Sequence, residues 1–115
     1  MEMMALCCPP DLVNECQGFM EDEFFKAFID QSRLKVFLLL MEKGEMTVNE
    51  VSDQMEINQS NVSRHLAFLK RAGVALCRRD GRETYYRINY KNLAHRLKSI
   101  LLIVNQCCEP ETEEK

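Results

Sequence analysis

A chain of 115 residues and 13.5 kDa is enough for one domain and too little for two. Hydrophobic residues at 46% and charged residues at 29% describe a globular domain rather than a disordered chain. The net charge of −3 looks wrong for a polyanion partner, yet residues 60–98 hold ten Lys/Arg against two Asp/Glu, a local sum of +8. One basic stretch inside an acidic chain points to a localised anion-binding face. The longest apolar run, Val36–Met41, has six residues, far short of a membrane span. The start of the chain has no basic n-region, so no signal peptide is expected, and a cytoplasmic location is.

In chain order, residues 1–10 are read as a mobile arm carrying Cys7 and Cys8, because Pro9-Pro10 opposes helix there. A single domain is expected over residues 11–108, with an acidic, disordered tail over 109–115. Asp11 is placed to cap a helix from about Leu12 to Ile29, with Leu12, Cys16, Phe19, Met20, Phe24, Ala27 and Phe28 as its apolar positions. Asp30 or Ser32 caps the next, Arg33 to Lys43, and Gly44 stops it. Thr47-Val48-Asn49-Glu50 has the pattern of a capping box, with Val51 and Met55 turned inward. Asn58 or Ser60 caps the following helix, ending at Gly73, whose stripe Val62, Leu66, Leu69 leaves Gln59, Asn61, Ser63 and Arg64 largely on the other side. A hairpin follows: Val74–Arg79, then Asp80-Gly81, then Arg82–Ile88. The last helix spans about Tyr90 to Cys107.

The fold class is therefore mainly α with a small β-hairpin, a winged helix-turn-helix. A polar helix face fits the major groove, and Arg78, Arg79 and Arg82 around the hairpin tip fit the adjacent backbone or minor groove. In the last helix Leu93, Leu97, Ile100, Val104 and Cys107 alternate steps of four and three, with Leu101, Leu102 and Ile103 between them. A helix apolar nearly all round needs burial on two sides, and a second copy of the chain explains the second side. No phosphate loop, nucleophile motif or acid–base cluster argues for an enzyme, so no catalytic residue is assigned.

The run Ser32-Arg33-Leu34, then Thr47-Val48 and Glu50-Val51, then Asn58-Gln59-Ser60-Asn61-Val62-Ser63-Arg64-His65-Leu66, then Arg79-Asp80-Gly81-Arg82 with Tyr85-Tyr86-Arg87-Ile88, resembles the ArsR/SmtB metalloregulators over about residues 20–105. The resemblance implies a homodimeric repressor of double-stranded operator DNA, joined through its first and last helices and released by an effector. It places DNA contacts at Gln59, Ser60, Asn61, Ser63, Arg64, His65, Arg79, Gly81 and Arg82. His65 is equally readable as a packing histidine. Tyr85 and Tyr86 read mainly as strand packing. Arg87 and Arg96 face either solvent or phosphate.

Six cysteines in a reducing compartment read as thiols kept for metal or redox chemistry rather than as disulfides. The family's sensor patterns then divide them. A Cys-Val-Cys motif in the third helix is absent, since Glu50-Val51-Ser52-Asp53-Gln54 stands there. The zinc pairs of the last helix are absent too, because His95 stands alone, with Leu93 and Gln106 at the partner positions. A persulfide pair lacks its cysteine in the second helix. What remains is Cys107 and Cys108, with Cys7, Cys8 and Cys16. An all-sulfur set favours soft ions, so the expected effector is trivalent arsenic, inorganic or organic, or antimony, with no intrinsic cofactor. Cadmium, lead or mercury, or a thiol redox signal, are the alternatives. Cys77, inside a strand, reads as a small packing residue, and Cys16 is open to either role.

Overall fold

In a computed structural model, residues 10–107 are described. The order is α1 (Pro10–Met20), α2 (Glu23–Lys26), α3 (Gln31–Lys43), β1 (Met46–Thr47), α4 (Val48–Met55), α5 (Gln59–Arg71), β2 (Ala75–Asp80), β3 (Glu83–Ile88) and α6 (Tyr90–Cys107). The expected arm over 1–10 and tail over 109–115 lie outside these residues, except for Pro10. Pro10 is helical, not helix-breaking, because it opens α1, where its missing N–H has no intrahelical acceptor to lose.

The single helix expected from Leu12 to Ile29 is two helices. Asp22 ends the first register by capping the second, its carboxylate accepting from the Phe24 amide at 3.3 Å. Its other oxygen pairs with the Arg96 guanidinium, which lies 4.8 Å over the Phe24 ring. The restart turns Phe24 and Ala27 fully inward. Phe24, Phe28 and Phe37 then meet edge to face, with centroids 5.6 and 5.0 Å apart.

Asp30 caps α3 and Gly44, at φ +92°, ends it. Val36 and Leu40 of α3, Val51 of α4, and Val62, Leu66 and Leu69 of α5 have no exposed surface and form the core with Val74 and Ile88. The capping box closes as expected: Thr47 Oγ1 accepts from the Glu50 amide and the Glu50 carboxylate accepts from the Thr47 amide. Thr47 also pairs with Tyr85 in β1, a strand too short to read from the sequence. The sheet order is β1-β3-β2, antiparallel throughout. The hairpin register pairs Asp80 with Glu83, so its two central residues are Gly81 and Arg82, one position later than expected. Gly81, at φ +65°, holds the first central position of a type II′ turn.

α6 packs on α1, and of its apolar residues Ile103 is buried, while Leu93 and Ile100 are half-buried. The expected seam therefore splits. Leu97, Leu101, Leu102 and Val104 remain 52%, 57%, 62% and 54% exposed.

Candidate nucleic-acid interface

Two helices and a turn place the polar face. Glu56 ends α4 in the left-handed region at φ 57°, its amide donating to the Ser52 carbonyl at 2.8 Å. The buried Ser52 hydroxyl donates to the Ile57 carbonyl at 2.6 Å, fixing the connection to α5. Asn58, not Ser60, is the cap of α5, accepting from the Asn61 amide at 3.0 Å. With Val62, Leu66 and Leu69 buried, the helix cannot rotate, and the opposite side is presented outward.

Gln59, Ser60, Asn61, Ser63 and Arg64 are all exposed on that side, and His65 is half-buried at its edge. Arg64 donates to the Asn61 side chain at 3.4 Å. Ala67, Lys70 and Arg71 extend the exposed face to the end of the helix. The Ser/His motif points only as far as His65 and so leaves these three out, although steps of four, three and four from Ser60 through Arg64 and Ala67 to Arg71 reach two of them.

The wing carries Arg79, Gly81 and Arg82, all exposed. Arg78 does not join them. Its Nε and Nη2 each donate to the Glu45 carboxylate at 2.9 Å, its Nη1 lies 3.7 Å from Asp80, and its guanidinium covers Tyr85 at 4.6 Å. The Arg78 hydrogen bonds hold the Glu45 carboxyl below its ordinary pKa, while Glu45 in turn raises that of Arg78. Arg78 therefore braces the wing base against the loop before β1. Arg87 is exposed, and Arg96 is tied to Asp22.

The wing and helix are joined behind the face. The Asn92 side-chain amide of α6 donates to the Gly73 carbonyl at 2.9 Å, and the Asn89 backbone amide donates to the Val74 carbonyl at 2.8 Å. The end of α5, the start of β2 and the start of α6 thus form one junction.

Of the cysteines, Cys16 of α1 and Cys77 of β2, opposite Tyr86, are half-buried free thiols. Cys107 is the last residue of α6. Cys7, Cys8 and Cys108 lie outside the described residues. Among the described residues no group of three or more His, Cys, Asp or Glu is placed to hold a metal ion, and no helix is long and apolar enough to cross a membrane.

A helix-turn-helix with an outward polar face and a basic β-wing defines a winged-helix protein of the nucleic-acid-binding class. The family model described as "Bacterial regulatory protein, arsR family" matches residues 30–75. An HTH-type transcriptional regulator of Methanocaldococcus jannaschii, itself uncharacterised, is 37% identical over 84 residues, which is 73% of this chain and 90% of that one. The chain belongs to the ArsR family, whose members are transcriptional regulators and not enzymes. It is also similar to the arsenic resistance transcriptional regulator ArsR1 of Pseudomonas putida, 40% identical over 65 residues. That match covers 56% of this chain and about half, 51%, of the relative. A crystal structure of a possible transcriptional regulator for arsenical resistance superposes with a TM-score of 0.60 at 31% identity, covering 73% of this chain and 84% of that one.

Proposed function

We propose that this chain is a repressor that binds double-stranded operator DNA as a homodimer and releases it when a thiophilic effector engages its cysteines. The observation that carries the DNA reading is α5: its apolar stripe is wholly buried, so Gln59, Ser60, Asn61, Ser63 and Arg64 are held outward, and Arg79, Gly81 and Arg82 of the wing are exposed as well. These side chains match the two tasks of such an interface, base-edge contact from the helix and phosphate contact from the wing. The dimer is supported by the uncovered Leu97, Leu101, Leu102 and Val104 of α6, an apolar surface that water disfavours. Two copies would present two reading helices to a palindrome. Such a repressor works in the cytoplasm.

Cys107, Cys108, Cys7, Cys8 and Cys16 are the residues that would hold the effector, with His65 left to the DNA side. An all-thiol donor set suits trivalent arsenic or antimony, which would crosslink thiolates when bound. The name of the Pseudomonas putida relative supports arsenic as the first candidate. The chain's own part is coupling. α6 is tied to the end of α5 through Asn92 and to α2 through Arg96 and Asp22, so a displacement of α6 reaches the reading helix. A coupling of about 1–3 kcal/mol would weaken operator binding some 5–150-fold.

The test is fluorescence anisotropy on promoter DNA at two salt concentrations, with arsenite or phenylarsenite added. Binding that falls steeply with salt is expected, with release on addition of the arsenical. Replacing Cys107 and Cys108 by Ser should leave binding intact and abolish release. A double variant that still dissociates normally refutes the cysteine assignment, and a chain that binds no duplex refutes the repressor.

A further inference from the structure

We infer that the cleft between α3 and α5 is a phosphate site, which receives a backbone phosphate of the DNA whose bases the outer face of α5 reads; the inference rests on the DNA-binding reading above. The cleft encloses about 380 Å³ and is lined by Arg33 from α3 and by Asn61, Arg64, His65, Phe68 and Arg71 from α5. Among the described residues no carboxylate lines it.

The Phe68 ring in its lining has two guanidiniums close to it, Arg33 at 3.9 Å and Arg71 at 5.2 Å from the ring centroid. The two differ in role. Arg33 donates from Nε to the Ala27 carbonyl at 3.1 Å and from Nη2 to the Lys26 carbonyl at 2.7 Å, and its side chain is 14% exposed. It is a fixed positive wall. Arg71 is 61% exposed, and among the described residues its ion-pair partner is Glu23 at 4.0 Å, beyond hydrogen-bond range. Its planar donors are available to a ligand. Asp30, the other acid close by, is 4.0 Å from Arg33. Cations gathered around one ring repel each other, and an oxyanion among them removes that repulsion through charge-assisted hydrogen bonds.

The length of α5 says where the anion comes from. Ser60 to Arg71 is eleven residue steps, or about 16 Å along the axis, while the major groove is about 12 Å wide. With Ser60 and Arg64 at base edges, the Arg71 end reaches the groove wall, where the phosphates are. Arg64 also lines the cleft, so the cleft opens beside the reading face.

The test measures affinity against salt for the full chain on promoter DNA and on a random duplex, together with ¹⁵N resonances of the arginine Nε groups titrated with inorganic phosphate or duplex. Arg71→Gln should weaken both duplexes alike and flatten the log–log salt slope by about 1. Arg71→Lys should restore the slope. Lys35→Gln, on α3 beside a different groove, should leave relative preference and the ranking of slopes unchanged. The Arg71 resonance should move with duplex, and more weakly with phosphate alone. A response to phosphate alone, with the duplex slope untouched by Arg71→Gln, would make this a free-anion site and overturn the inference. An unchanged slope with no resonance shift overturns it as well, while the DNA-binding reading stands. If the parent chain binds neither duplex, it is the DNA-binding reading that fails.

Discussion

Gly73 is the residue on which the junction of α5, β2 and α6 depends, and replacing it with Ala tests that dependence quantitatively. Its φ is +83°, where an L side chain costs about 1–2 kcal/mol. A Cβ built there would stand 2.7 Å from Asn92 Nδ2, too close for the amide to remain. The Asn92 bond to the Gly73 carbonyl would then be lost, at about 0.5–1.5 kcal/mol. Gly73→Ala should therefore destabilise by about 1.5–3.5 kcal/mol, combining the two terms. Asn92→Ala alone removes only the bond and should cost about 0.5–1.5 kcal/mol. The decisive quantity is the double variant. Once the added methyl group has expelled the amide, removing Asn92 takes away nothing further, so the double variant should match Gly73→Ala. Urea unfolding at one fixed protein concentration gives all four values. Additive losses would show that the amide bond survives beside the added methyl group. A neutral Gly73→Ala would refute the account of the junction altogether.

Two further predictions concern the wing and the last helix. Glu45→Gln should lower the urea midpoint at pH 7. Because the folded Glu45 carboxyl titrates below its ordinary value of 4.5, its contribution is complete above that value and fades as pH falls through the lowered one. The gap between parent and variant should close in acid, and a gap independent of pH would disprove the Arg78 brace. Replacing exposed Leu101 and Val104 of α6 together by Glu should give a monomer by sedimentation equilibrium with helix content retained. A dimer that persists would place the interface elsewhere.

The elements that the sequence disclosed are those written in local chemistry. Asn58, Thr47 with Glu50, and Gly44 mark helix ends within a few residues of themselves, and the period of Val62, Leu66 and Leu69 determines which face of α5 looks outward. What stayed hidden depends on partners far along the chain. Asp22 interrupts the first helix in part because Arg96, 74 residues on, holds its second oxygen. The short β1 exists only by pairing with Tyr85 and Tyr86. Arg78 looks like its neighbours Arg79 and Arg82 in the sequence, and only Glu45, 33 residues earlier, separates its task from theirs. The stripe of the last helix was visible, but its division between Ile103 inside and Leu101 outside is a property of where α1 lies.

The type II′ turn at the wing tip leaves a mark on how this protein can change. All the conformational demand falls on Gly81, the first of the two central residues, because only it has a positive φ. Arg82, beside it, has an ordinary backbone and an exposed side chain. Shape and charge at the tip are therefore written at separate positions. A lineage could exchange Arg82 for a neutral or acidic residue, and so retune the charge of the proposed DNA contact in small steps, without disturbing the pairing of the strands behind it.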